Sequence, residues 1–243
     1  VYSHPRFHLV HKAPGLGFHR EGDTPGLMDL LREALPGDAL WPVHRLDRIT
    51  SGLIVVARSQ QDAAELGAAF AGRDVEKYYL ALSDAKPARK QGLIKGDMDK
   101  GRGGAWKLCK SAANPAVTQF FSHSLAPGLR LFVLRPRTGK THQLRVAMKS
   151  LGAPILGDAL YGGSAADRGY LHAYALAFTL AGETHRFVCP PLWGERWPQA
   201  ALADYLAAKR KAESAGHRDV GAYADAKEPW FLDAYRRAWD WAS

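Results

Sequence analysis

The chain has 243 residues, 47% of them hydrophobic and 10% aromatic, which suits one large domain with a sizeable core and excludes a solvated, disordered polymer. No run of eighteen apolar residues occurs, so a transmembrane helix is excluded, and the opening VYSHPRFHLVHKAPG lacks the apolar stretch of a secretory signal. Lys and Arg total 33 against 24 Asp and Glu, and the net charge of +9 favours a polyanionic partner, nucleic acid before membrane.

In chain order, residues 25–35 read as a short helix with Pro25 at its start and Pro36-Gly37 beyond its end. The apolar, β-branched run over 52–58 reads as a buried strand. Ser59 followed by Asp62 marks a helix start, and 60–72 continues as that helix. The next strand covers 77–82. Residues 86–110, with eight Lys or Arg against Asp97 and Asp99, read as a basic loop. Strands over 117–123 and 129–134 flank the turn Ala126-Pro127-Gly128. A helix begins at Thr141 and is closed by Gly152, and a strand-like stretch covers 170–178.

The clearest helical pattern covers 198–212, with Leu202, Tyr205 and Leu206 on one face. Beyond it, Trp230, Phe231, Tyr235, Trp239 and Trp241 are expected to dock on the main body. Residues 201–243 carry seven basic and seven acidic residues, so the charge excess belongs to the first 200. Strands and helices intersperse without regular βαβ spacing, which predicts an α+β fold. The expected organisation is one domain over 1–200 and a C-terminal helical extension over 201–243 packed on it. Cys109 and Cys189 are too few for a disulfide framework, and no CxxC pair offers a zinc site, so a reducing cytoplasm is the expected location.

Two polar constellations stand out. His44-Arg45-Leu46-Asp47-Arg48-Ile49-Thr50-Ser51-Gly52 precedes the first buried strand, which puts Asp47 on a rigid platform at a sheet edge, flanked by Arg45 and Arg48. Nearby cations keep a carboxylate ionised, able to attack carbon or stabilise a cation but poor as a general acid. Alone, an R-x-D is more often a structural ion pair. The second constellation runs Arg135 to Arg145, RPRTGKTHQLR. Leu134 stands where a phosphate-binding Gly-Lys-Thr loop needs its first glycine, so a nucleotide-hydrolase loop is excluded. What remains is a glycine turn opening a helix, with Lys140 and His142 in its first turn, suited to phosphate. A serine triad from Ser51, His142 and Asp47 has no G-x-S-x-G elbow behind it, and the histidines form no H-E-x-x-H, so no metal is expected. Tyr78 and Tyr79 point to opposite faces of their strand, so one of them faces a core or cleft.

HRLDRITSGL, from His44 to Leu53, resembles the signature around the catalytic aspartate of RluA-type pseudouridine synthases. TGKTHQLRV followed by LGAPILGDALYGG resembles that family's downstream motif, Glu76-Lys77-Tyr78-Tyr79-Leu80-Ala81 its K-x-Y-x-A strand, and Lys12-Ala13-Pro14-Gly15-Leu16 its K-P-x-G segment with Ala and Pro exchanged. Four such matches in order over most of the chain are specific where each alone is modest.

The resemblance implies conversion of uridine in RNA to pseudouridine with no cofactor, on a mixed, mostly antiparallel sheet flanked by helices around a central catalytic cleft. It implies Asp47 as the essential aspartate, a nucleophile or a base that starts glycal formation. It further implies Tyr79 stacked on the uracil and involved in removing the C5 proton, and Arg145 paired with Asp47. Arg45 matches the residue that fills the stack vacated by the flipped nucleotide, while Arg48, Lys140 and His142 are expected to contact RNA. Lys140 stands where the family usually has arginine in GRTHQ, and Ala147 where a histidine commonly follows, departures that touch RNA contacts more than chemistry. A short form without an S4-type module, acting as a monomer on stem-loops of tRNA or ribosomal RNA, is expected. The rival from another class is a non-catalytic RNA-binding or chaperone module on the same fold.

Overall fold

The computed structural model describes residues 1–197. Their elements run β1 (Tyr2–Ser3), β2 (Phe7–Lys12), α1 (Leu27–Ala34), β3 (Trp41–Pro42), β4 (Ser51–Ala57), α2 (Gln60–Gly72) and β5 (Glu76–Ser83). They continue with β6 (Gln91–Gly96), β7 (Met98–Lys100), β8 (Trp106–Leu108), β9 (Ala116–Ala126), β10 (Leu129–Pro136), α3 (Gln143–Ser150), β11 (Leu171–Leu180) and β12 (Glu183–Val188). The main sheet is ordered β1-β2-β4-β11-β5-β10-β9-β6, with β12 beside β11 and β3 beside β4. The β4–β11 pairing is parallel, and the others are antiparallel. This is the mixed, mostly antiparallel α+β architecture expected from the sequence.

β4 is buried at every position because helices cover both of its faces. Leu53 and Val55 pack with Leu66 of α2, while Ile54 and Val56 pack with Leu27, Met28 and Leu31 of α1. The Ser59 hydroxyl accepts the Asp62 amide at 3.0 Å and starts α2 as anticipated. On the far half of the sheet, Leu144 and Met148 of α3 close a core with Tyr78, Leu80, Phe120 and Phe132.

The basic loop expected over 86–110 is instead three strands. β6 pairs with β9 along six residues although its side chains are largely exposed, and β7 and β8 form a separate hairpin. Backbone pairing holds them, and a charged, glycine-rich sequence hides that. β2 (FHLVHK) and β12 (ETHRFV) were likewise masked by polar residues, yet β2 pairs with β4 from end to end. With β2 on one side and β11 on the other, β4 is interior, so Asp47 leads into the middle of the sheet and not to its edge. The helix expected over 198–212 and the aromatic segment after it lie outside the described residues.

A polar thread crosses the sheet where β4 meets β11. Arg168 Nη2 donates to Ser51 Oγ (2.8 Å), Ser51 Oγ lies 2.8 Å from His172 Nδ1, and His172 Nε2 donates to the Cys189 carbonyl (2.7 Å). Both His172 nitrogens are thereby committed, so the nearby His11 and Cys189 gain no third metal ligand from it, although the three donor atoms lie within 4.8 Å of one another. Burial pushes His172 and His44 down to about 3 and His11 to about 4. Between pH 6.5 and those values the unfolded chain takes up protons that the folded chain refuses. Stability is therefore expected to fall as pH drops below 6.5, by up to about 1.4 kcal/mol per pH unit for each histidine. Urea midpoints at pH 7.5, 6 and 5 check this, and equal midpoints at 6 and 5 would contradict it.

Candidate active site

The loop before β4, the end of α2, β5 and the Gly139-Lys140 turn surround a cavity of about 570 Å³. Arg45, Asp47, Tyr79, Lys140 and His142 line it. Backbone bonds fix the loop: Thr50 N donates to Asp47 O (3.0 Å) and Gly15 N to Arg48 O (2.9 Å). Lys12, fully buried, donates from Nζ to the carbonyls of Ala13 (2.9 Å), Leu16 (2.7 Å) and Arg48 (3.3 Å), and burial lowers it to about 8. The K-A-P-G-L segment thus reaches the site through the lysine's three carbonyl contacts.

Asp47 meets a cation, and it is Arg145, whose Nη1 lies 3.5 Å from Asp47 Oδ2. Arg145 is only 7% exposed, and the other side of its fork is taken by the buried Asp158, Nε to Oδ2 at 2.7 Å and Nη2 to Oδ1 at 2.8 Å. The guanidinium also stacks 4.8 Å from the Tyr161 ring centroid. Burial works against the Arg145 charge, but the Asp158 hydrogen bonds, with Asp47 behind them, raise its pKa above the ordinary value. A bidentate fork on one carboxylate leaves a single fixed N–H edge for the other.

His142 adopts a left-handed backbone (φ 56°) ahead of α3, and its Nδ1 lies 2.8 Å from the Tyr161 hydroxyl. That hydroxyl accepts the Trp106 amide at 2.9 Å. Burial keeps His142 below its ordinary pKa although Asp47 pulls the other way, which favours the neutral ring. Tyr79 is half-buried on the cavity side of β5 while Tyr78 is in the core, as alternation demands. Burial, then Asp47, raises the Tyr79 pKa, so its phenol stays protonated near neutrality and has to shed that proton before it can accept another.

Arg145 stands behind Asp47 and does not line the cavity. Arg48 is turned elsewhere, with Nη1 on Glu21 Oε2 (2.7 Å) and Nε on Gly15 O (3.0 Å). Ser51 faces His172, not His142. Sequence reasoning gave no role to Gln143, Asp158 or Tyr161. Gln143 is a buried amide whose oxygen accepts from Thr138 Oγ1 (2.7 Å) and Lys140 N (3.0 Å), while its nitrogen donates to Val117 O (3.0 Å) and Thr118 Oγ1 (2.9 Å). It stitches the Gly139-Lys140 turn to β9. The signal was within the quoted motifs, THQ and GDALYGG, but partners so far apart in sequence are not visible there.

The family model for RNA pseudouridylate synthases matches residues 6–150. An uncharacterized RNA pseudouridine synthase of Haemophilus influenzae is 50% identical over 208 residues, covering 85% of this chain and 93% of its own. The dual-specificity RNA pseudouridine synthase RluA of Escherichia coli is 38% identical over 144 residues, covering 56% of this chain and 66% of its own. Human RNA Pseudouridylate Synthase Domain Containing 1 superposes with a TM-score of 0.65 at 26% identity, over 79% of this chain and 82% of that one. With that family's motifs present in order and its solved fold matched, the chain belongs to the RluA-type RNA pseudouridine synthases, isomerases that convert uridine in RNA to pseudouridine.

Proposed function

We propose that Asp47 is the catalytic aspartate, that Tyr79 and Arg145 complete the reacting centre, and that the substrate is a stem-loop of tRNA or ribosomal RNA modified by a monomer in the cytoplasm. The observation that carries this is the Asp47 carboxylate at the cavity wall, 3.5 Å from an arginine that a second carboxylate holds still. In the reaction the N1–C1′ bond breaks, the uracil turns, C5 bonds to C1′, the C5 proton leaves and N1 gains one. Asp47 acts at C1′ as nucleophile or as the base that starts glycal formation. Arg145 Nη1 stands 3.5 Å from that carboxylate in either role.

The protonated Tyr79 phenol suits a platform under the uracil, and once the base has turned it lies close to C5. Tyr79→Phe is expected to bind RNA normally and to lose about ten- to a hundredfold in single-turnover rate. An unchanged rate would remove the hydroxyl from the chemistry. Flipping the uridine costs a few kcal/mol of stacking, and the flat Arg45 guanidinium at the cavity mouth fits the gap left behind. Lys140, His142 and the basic hairpin β7–β8 face the RNA backbone, with Arg48 at the periphery beside Glu21. Of the organisation expected from the sequence, a catalytic body over 1–200 and an extension over 201–243, the second part lies outside the described residues.

The test is chemical mapping of pseudouridines in tRNA and ribosomal RNA from cells with and without the gene, complemented by wild type or by Asp47→Ala. A position lost on deletion and restored only by wild type establishes both the substrate and the aspartate. A position restored by Asp47→Ala as well would overturn the assignment of Asp47.

A further inference from the structure

The cavity extends past the Asp47–Tyr79 centre to residues with no part in the chemistry above: Phe70, Arg73 and Lys77 line it as well. Lys77 and Tyr79 are two apart on β5 and so share a face, about 7 Å apart along the strand. The Phe70 ring is stacked on His44 (centroids 4.3 Å, 20° between planes), and Lys77 Nζ sits 5.6 Å from the centre of that ring. On its other side the ammonium faces the Gly139 turn, where a Cβ in place of the glycine hydrogen would lie 4.0 Å from it.

Among the described residues no carboxylate or hydrogen-bond acceptor meets the Lys77 ammonium, whereas its neighbour Lys140 donates to Asn114 Oδ1 at 2.9 Å. Burial alone lowers the Lys77 pKa, with no acid raising it. Among the described residues, the one carboxylate lining the cavity is Asp47, against Arg45, Arg73, Lys77 and Lys140. A desolvated cation held without a counter-ion is costly unless a ligand supplies the anion.

We propose that Lys77, seated on the Phe70–His44 stack, is a phosphate-binding residue for the phosphodiester next to the flipped uridine, with Arg73 a second cation at the same end of the cavity. The proposal rests on RNA being what this cavity takes. With the base on Tyr79 and its C1′ at Asp47, the sugar's phosphates extend along the cavity wall, and Lys77 lies about one strand repeat of two residues away. A cation–π seat holds the ammonium in place without neutralising it.

The experiment compares wild type, Lys77→Met and Lys77→Arg, each as the full chain. The substrate is an in vitro transcribed pool of unmodified tRNA and ribosomal RNA tritiated at C5 of uridine. Tritium release gives kcat and KM, and filter binding of the same RNA gives Kd at several salt concentrations. Lys77→Met keeps the aliphatic packing and loses the charge. It is expected to raise KM about tenfold with kcat within about twofold, and to make the slope of log Kd against log salt shallower by about one, with Lys77→Arg restoring both. A fall in kcat at constant KM, or a salt slope equal to wild type, overturns the phosphate role. If wild type releases no tritium from this pool, the isomerase reading of the site fails for these RNAs, and the salt slope still decides Lys77.

Discussion

Asp47→Asn is expected to lose at least ~10³-fold in isomerisation while its RNA affinity stays within about threefold of wild type. The two readouts separate because of the electrostatics around one oxygen pair. The described lining of the cavity is cationic, so removing the Asp47 carboxylate takes away no attraction for phosphate. Folding is expected to change by less than about 1 kcal/mol, since Arg145 keeps its bidentate partner Asp158. Single-turnover tritium release and filter binding, run on the same preparation, check both halves. Normal turnover by Asp47→Asn would remove the carboxylate from the mechanism, whereas lost binding would make it a contact for RNA.

The second large effect is expected at a residue that does not line the cavity. Asp158→Ala leaves the Arg145 guanidinium buried with only Asp47, at 3.5 Å, to answer it. Breaking a buried pair in this way costs ~3–5 kcal/mol, much of the stability of an ordinary domain. The loss should appear as a large drop in urea midpoint. Asp158→Asn keeps the shape, and in it the freed fork is expected to swing onto Asp47. That gives a milder loss of stability together with a kcat reduced about tenfold or more at unchanged KM, because the cation no longer holds one edge toward the carboxylate. A wild-type midpoint for Asp158→Ala would show that the fork carries no folding energy. A wild-type kcat for Asp158→Asn would show that Arg145 needs no second carboxylate to serve Asp47.

These two aspartates illustrate what the sequence made legible. Asp47 announced itself because its neighbours form a dense polar run ahead of an apolar strand, a local pattern. Asp158 is a lone acid in a turn, thirteen residues from its partner, and only the fold brings it under Arg145. The strands read correctly, 52–58, 77–82 and 129–134, are those buried by helices or neighbouring strands, where β-branched and aromatic residues leave a signature. β6, β7 and β8 escaped because an exposed strand is held by backbone bonds that any side chain permits. Arg48 misled for a similar reason: adjacency to Asp47 in sequence says nothing about Glu21, which sits across the loop and takes its guanidinium.

The position of β11 has a consequence for the order in which this chain can become an enzyme. β4 and β5 are consecutive large strands joined by one helix, yet they do not pair, because β11, made some ninety residues after β5, is inserted between them. A nascent chain emerging as far as α3 holds Asp47, Tyr79 and Arg145 but not the wedge that sets the distance between the first two. Nor does it hold His172 to receive Ser51 or Asp158 to receive Arg145. Strand insertion over such sequence separations is slow, since the loop must close before the contacts reward it. The reacting centre is therefore among the last things to form, and a ribosome stalled before Leu171 carries every residue of the proposed reacting centre and no catalyst.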